Sequence, residues 1–373
     1  MHRIGFDAKR LFNNFTGLGN YSRTLVRNLV YYYPDFAYFL YTPKIQKNPD
    51  TTVFLNSPAY SVHTPGRIER PIWRTYRVRQ QLKQHKINLF HGLSNEIPFG
   101  LDHLPVKKVV SVHDLIYKHF PRHYPAIDRQ IYDLKTKYAC QHSDQIVAIS
   151  ASTKADLIHY YGVPEHKISV IYQTCAEDFF QDKSEALIEK VSKKYNLPSQ
   201  YMLYVGSITE RKNLIGILQA MKRLPRDMEL PLVIVGGGRS YLKEVQQFLV
   251  KEGLKKFVHF IQPENEDLPF IYQKANLFIY PSFYEGFGIP IIEALFSHTP
   301  VITSNCSSMP EAAGPDSMLI DPHEPEAIAQ AIDRVLSDTE LRETMTQKGY
   351  AYAQRFRPEP VTTELVELYQ FLL

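Results

Sequence analysis

Short apolar runs alternate with amphipathic stretches along most of the chain. In the first half the runs are RIGFDA, AYFLYT, TVFL, INLFHG, KVVSVHD, QIVAIS and KISVIYQ, which read as strands. The stretches near 20–31, 71–85, 128–142 and 151–161 read as helices. Strand and helix taking turns in this way predicts a mostly parallel, doubly wound α/β sheet. The pattern pauses over 176–200, charged and polar with one helical segment, the expected interdomain linker. A second alternation then follows: YMLYVGSI, PLVIVGG, FVHFIQ, LFIYPS, PVITSN and SMLIDP. The expected organisation is a Rossmann-like domain over 1–175, the linker, a second Rossmann-like domain over 201–355, and a final amphipathic helix within 356–373.

A length of 373 residues suits two domains, each large enough to bury its own core. No apolar run approaches the roughly 18 residues needed to span a bilayer. The N-terminal MHRIGFDAKR runs straight into a strand without a signal peptide's apolar stretch, so a cytoplasmic location is expected. Cys140, Cys175 and Cys306 are far apart and odd in number, which points to packing rather than to disulfides or zinc. The net charge of +4 is unevenly placed: residues 1–175 hold 23 Lys+Arg against 12 Asp+Glu, leaving 20 against 27 beyond. The resulting +11 suggests that the first half meets something anionic. The segment 67–86, RIERPIWRTYRVRQQLKQHK, has seven basic residues, one acid, Trp73 and Tyr76. It reads either as a face for a membrane or acceptor, or as a surface helix burying Trp73, Val78 and Leu82. No nucleic-acid-binding module accompanies the charge.

In open α/β sheets ligands collect beyond the carboxyl ends of strands, so the residues following each run carry the chemistry. In FIYPSFYEGFGIPIIEALFSHTP, Pro290 fits the first helical position; Glu293 then falls in the first turn and Glu285 outside it. Such carboxylates grip different parts of one ligand: Glu293 a ribose diol, while amides of Gly286, Phe287 and Gly288 approach an anionic or hydroxylated group. Gly17 and Gly19 precede a helix and either bring amides to a phosphate or acceptor, or satisfy a loop needing positive φ. His91 and His113 each end a strand. His91 either shapes an acceptor pocket or is a hydrogen-bonded structural residue; Asp114 either orients His113 or caps the next turn. Arg211 and Lys212 lie where the loop after YMLYVGSI meets a helix, a position suited to neutralising a diphosphate without a metal. No D-x-D stands at a strand end. Gly236, Gly237 and Gly238 read as a structural turn, the Ser308, Met309, Pro310, Glu311 turn as scaffold, and His298 as a left-handed helix end.

The E-x7-E spacing with its EGFG loop, together with VGSITERKN, TGLGNY and HDLIYKHFP, resembles the family-4 retaining glycosyltransferases of the GT-B fold, most like their mannosyltransferase branch. The resemblance covers nearly the whole chain. It implies two Rossmann-like domains facing a cleft, acceptor-side first and nucleotide-sugar-binding second, with the last helix crossing back to the first domain. It further implies transfer of a hexosyl unit, with retention, from a nucleotide diphosphate sugar to a glycan or lipid-linked acceptor in cell-surface polysaccharide synthesis. GDP-mannose is the favoured donor and a UDP-hexose the runner-up. By the resemblance, His113 contacts the transferred sugar, Glu285 positions and supports it, and Arg211 and Lys212 stabilise the diphosphate. Gly17 and Gly19 face the donor. Many relatives carry an arginine where this chain has Ser207, which throws that duty onto Arg211. No metal is expected, the acceptor is expected to be anionic, and the basic first domain suggests peripheral contact with the inner face of a membrane. The alternatives are a nucleotide-sugar epimerase, which would turn over donor without acceptor, and an inactive nucleotide-sugar-binding subunit, which would bind nucleotide without transfer.

Overall fold

The computed structural model describes residues 1–225 and 230–373. Within them the strands form two all-parallel sheets, one in each of two units: Met1–Thr174 with Arg357–Leu373, and Cys175–Phe356. In the first unit β1 (Arg3–Asp7), β2 (Ala37–Tyr41), β3 (Tyr60–His63), β4 (Leu89–Gly92), β5 (Lys107–Val112), β6 (Gln145–Ala148) and β7 (Ile168–Val170) lie in the order β3-β2-β1-β4-β5-β6-β7. In the second, β8 (Met202–Val205), β9 (Leu232–Val235), β10 (Val258–Ile261), β11 (Leu277–Tyr280), β12 (Val301–Ser304) and β13 (Met318–Ile320) lie in the order β10-β9-β8-β11-β12-β13. Each sheet reverses its winding once, between β1 and β4 and between β8 and β11. Loops diverge at such a switch point and leave a crevice for ligand. The central strands β8, β9, β11 and β12 are buried along their whole length, because helices cover both faces of a parallel sheet.

Three expectations need correction. TVFL is not a strand: it lies in the Pro49–Asn56 helix, where Asn48 accepts from Thr51 N at 2.9 Å and Thr51 Oγ1 accepts from Asn48 N at 3.0 Å. A capping box with Pro at the first position overrides β-propensity in so short a run, and the strand is YSVH of β3 instead. The 71–85 helix is broken by a π-helical turn, Trp73–Arg77. Its buried stripe is Trp73, Val78 and Leu82, while Arg67, Ile68, Arg70, Ile72, Tyr76, Arg77 and Arg79 face outward. Residues 176–200 are no free linker but part of the second unit. Phe179 packs edge-on to Tyr272 and Phe180 to Phe296, and Lys194 bridges Glu264 and Asp267 at 2.6 and 2.7 Å.

The final helix, Pro358–Leu372, packs on the Gly17–Tyr32 helix within the first unit. His91 decides the fit. It is fully buried, with Nδ1 2.5 Å from Tyr369 Oη and Nε2 2.8 Å from Ser111 Oγ, which in turn meets Tyr21 Oη at 2.7 Å. Burial, helped by nearby His113, holds its pKa down to about 3, so the ring is neutral. His91 therefore takes the second of its two readings, a hydrogen-bonded structural residue, with both ring nitrogens engaged inside the core.

Tyr369→Phe should lower the stability of the first unit by roughly 1–3 kcal/mol in urea unfolding, the cost of one buried polar atom left without its partner. An unchanged midpoint would mean that the His91–Tyr369 bond adds nothing.

Candidate functional site

The residues at the switch point of the second sheet form one charged cluster. After β8 the chain passes Gly206, at φ +152°, and enters a tight helical turn, Glu210–Lys212. Asn213 follows in the left-handed conformation and caps the Leu214–Met221 helix, accepting from Gly216 N at 3.2 Å and donating to Pro322 O at 2.7 Å. After β11 the loop carries Ser282 and Glu285, and Gly288, at φ +115°, opens the Ile289–Phe296 helix. The two loops are joined by Phe283 N donating to Arg211 O at 2.8 Å.

Glu285 is the centre, 9% exposed. Its carboxylate meets Arg211 Nη1 at 2.8 Å and Lys212 Nζ at 3.0 Å, and accepts from Tyr280 Oη at 3.0 Å and Ser282 Oγ at 3.1 Å. Burial alone would raise its pKa, but Lys212 and Arg211 outweigh that and hold it at about 2. Lys212 is buried as well; burial lowers its pKa while Glu285 opposes the shift. Arg211 also donates to Tyr284 O, and Lys212 to Tyr280 Oη. Residues expected to grip separate parts of a ligand, Glu285 on one side and Arg211 with Lys212 on the other, thus stand in mutual contact. Ser308 is scaffold, its hydroxyl bridging Glu285 O and Phe287 O at 2.8 Å each, and Ser307 Oγ donates to Glu285 O at 2.7 Å.

Glu293 lies beyond the first turn, because the helix begins at Ile289 and Pro290 holds its second position. Its carboxylate accepts from Tyr272 Oη at 2.9 Å. Burial pushes its pKa up to about 7, against the pull of Tyr272 and Lys212. Gly236 and Gly238 after β9 are structural: a Cβ on Gly236 would stand 2.0 Å from Gly206 O, and one on Gly238 2.4 Å from Ile208 O. His298 does adopt the left-handed conformation, at φ 56°, stacked on Tyr350.

In the first unit, the end of β5 places His113 beside a cavity of about 440 Å³ that Leu18 and Asn95 also line. His113 Nε2 donates to Leu93 O at 2.8 Å, and Nδ1 accepts from Gln173 Nε2 at 3.2 Å. Burial outweighs the Leu93 bond and lowers its pKa to about 4, so this ring too is neutral. Asp114 Oδ1 accepts from Ile116 N at 3.1 Å, the capping role. Gly19 is fixed by close approach, since a Cβ there would stand 1.7 Å from Asn14 O, and its N–H is taken by Thr16 O and Asn14 Oδ1. Gly17 has open space around its Cα. Gly17 opens the Gly17–Tyr32 helix, while Gly19 serves the loop's own geometry.

Sequence reasoning missed Tyr272, Tyr280 and Ser282, the partners of the two glutamates, and Asn95 and Gln173 around His113. Tyr280 ends β11 and Ser282 follows it by two residues, so both lie where ligands collect in an open α/β sheet. Tyr272 sits on a separate helix, and nothing in local spacing announces it.

Two family models match the chain: Glycosyltransferase Family 4 over residues 15–174 and Glycosyl transferases group 1 over 188–352. Escherichia coli O-antigen chain mannosyltransferase B is 31% identical across 99% of this chain and all of its own length. The chain belongs to the family-4 glycosyltransferases of the GT-B fold. O-antigen chain mannosyltransferase RfbU of Salmonella typhimurium is 28% identical over 61% of this glycosyltransferase and 60% of its own chain. HepE from Anabaena, solved in complex with UDP, superposes with a TM-score of 0.79 at 18% identity, covering 99% of this chain and 100% of its own, a likeness of fold.

Because the folded-state pKa of Glu293 lies above its unfolded value, the unfolded chain loses this proton near pH 4.5 while the folded glycosyltransferase keeps it until about 7. Its contribution to stability is complete below pH 4.5 and is lost as pH rises to about 7. Glu293→Gln should therefore flatten the fall in stability across that window, read as urea midpoints at pH 5 and pH 7.5. The same midpoint difference between variant and wild type at both pH values would show that Glu293 titrates normally.

Proposed function

We propose that this glycosyltransferase moves a mannosyl unit from GDP-mannose to a glycan or lipid-linked acceptor, with retention of configuration, in cell-surface polysaccharide synthesis. The end-to-end similarity to O-antigen chain mannosyltransferase B carries the reading. The second unit takes the nucleotide sugar and the first serves the acceptor. As the bond from sugar C1 to the β-phosphate oxygen breaks, charge gathers on the departing GDP. Arg211 and Lys212 exchange part of their hold on Glu285 for the diphosphate, and such preorganised cations act without a metal. Glu285 then supports positive charge on the sugar. The acceptor oxygen bonds to C1 on the face the phosphate leaves, and its proton passes to that phosphate oxygen. His113, being neutral, can exchange the Gln173 bond at Nδ1 for a sugar hydroxyl. Glu293 holds the ribose, and Gly17 and the amides of Gly286, Phe287 and Gly288 approach the donor. A UDP-hexose is the second reading, favoured by the UDP bound to HepE.

The test is transfer from GDP-mannose and from UDP-hexoses to a lipid-linked glycan acceptor, with the anomeric proton of the product followed by NMR. Transfer from GDP-mannose, retained configuration and full activity in excess EDTA are expected. Lys212→Ala should lower turnover on the order of 10²-fold, the scale of one lost preorganised contact. Activity abolished by EDTA and restored by Mg²⁺ or Mn²⁺, with Lys212→Ala near neutral, would place the charge on a metal instead.

Peripheral contact with an anionic membrane is proposed through the outward face of 67–86, where Ile68 is 95% and Tyr76 49% exposed beside Arg70 and Arg79. Arg74 does not belong to that face, since it is ion-paired inward with Asp7 and Glu96. Arg70→Glu with Arg79→Glu should weaken sedimentation with anionic vesicles, more so at low salt, and leave GDP binding intact. Unchanged sedimentation would make this a solvated face.

A further inference from the structure

The cavity in the first unit has a volume, about 440 Å³, within the range of small-molecule sites, and it opens at the switch point between β1 and β4. Its charges are unevenly matched. Glu96 is held by Arg74 Nη1 at 2.5 Å and by Lys135 Nζ at 2.8 Å, and Asp7 accepts from Arg74 Nε at 2.8 Å. Asp114 turns to cap the Ile116 turn. Lys9 and Arg10, which follow β1 and line the same cavity, have no ion-pair partner within 4.0 Å among the described residues. Arg10 Nε is moreover buried without any hydrogen bond. Buried donors are normally satisfied, so an orphan on a cavity wall asks for an acceptor that enters from outside.

The neighbours reinforce this. The Lys9 ammonium is shifted toward neutrality by burial and then by Arg74 and Arg10, with Glu96 and Asp7 opposing. Arg10 also contributes to keeping His113 neutral. An anion between Lys9 and Arg10 would relieve both effects and fill the free guanidinium edge. Arginine offers a planar fork suited to two phosphate oxygens, and lysine a point charge beside it.

We propose that this cavity is an anion subsite for the acceptor, in which Lys9 and Arg10 hold a phosphate group carried by the acceptor sugar. The proposal rests on the transferase reading, with acceptor in the first unit and donor in the second. The phosphate has two possible sources, one esterified on the glycan and one joining the glycan to its lipid carrier.

The experiment measures binding rather than turnover, by calorimetry on the full chain saturated with GDP. Mannose 6-phosphate stands for a phosphate on the glycan, mannose 1-phosphate for one at the carrier linkage, and mannose is the neutral control. At least one phosphate probe should bind about tenfold or more tightly than mannose, the scale of a charge-assisted contact. Lys9→Gln and Arg10→Gln should each abolish most of that preference, and Arg10→Lys should restore part of it. GDP affinity should stay at its wild-type value in all three. Melting temperatures establish folding, and Lys9→Gln carries the test alone if Arg10→Gln unfolds. Equal binding of all three probes to wild type, or a preference that survives both Gln variants, overturns the subsite. A loss of GDP affinity in those variants overturns it too, because the cations would then serve the donor. Wild-type protein that binds no GDP would defeat the donor reading itself, a separate result.

Discussion

The second unit is organised around one buried carboxylate. Taking Glu285 out of water would favour its protonated form, and the two cations within 3.0 Å do most to keep it ionised. The dependence runs the other way as well, since Lys212 is buried and Glu285 opposes the loss of its proton. Removing either side leaves an uncompensated buried charge, costlier than the pair is worth in net stability. The cluster thereby ties the loop after β8 to the loop after β11, the two strands that flank the reversal of the sheet. Its backbone is fastened independently by Phe283 to Arg211 and by Ser307 and Ser308 to Glu285. Because the frame does not depend on the ion pairs alone, the exchange of cation partners proposed above would not take the loops apart.

The first unit solves the opposite problem. Its switch point is crossed by two histidines that burial keeps neutral, and neutral rings can each accept and donate within a polar chain. Tyr21, Ser111, His91 and Tyr369 form such a chain through the core. This is how the final helix, remote in sequence, is fixed to the first sheet. His113 sits one strand over from His91 and shares its neutrality, but it lines a cavity. Two histidines that look alike in sequence differ in whether open space adjoins the ring.

Much of the fold was legible because parallel strands covered on both faces read as apolar runs; all six runs of the second half contain strands, the four central ones buried throughout and the edge strands β10 and β13 only in part. TVFL failed for the same reason that makes short runs ambiguous: four apolar residues suit a buried helix as well as a strand, and Asn48 with Pro49 decided for the helix. At the site, Glu285, Arg211 and Lys212 were found by their place after strands. Their contact with one another was not legible, since it depends on β8 and β11 being neighbours, which is a property of sheet order and not of local spacing. The basic segment 67–86 was legible only in part for a related reason: its buried stripe of Trp73, Val78 and Leu82 could be read from spacing, but the direction of each arginine could not. Charge counting cannot tell Arg74, turned inward to Asp7 and Glu96, from Arg70 and Arg79, which face water.

The same geometry bears on the absence of an arginine at Ser207. Gly206 stands against Lys212, so close that a Cβ there would lie 3.2 Å from Lys212 Nζ. The lysine thus occupies the space directly over the end of β8. Arg211 is held from the other side by Tyr284 O and Glu285, which aims its guanidinium at the loop after β11. Both cations reach the same oxygen, Glu285 Oε1, so two positive charges face one carboxylate. A third cation at 207 would add repulsion to a cluster in which Glu285 already faces two bases, both brought to it by the tight Glu210–Lys212 turn.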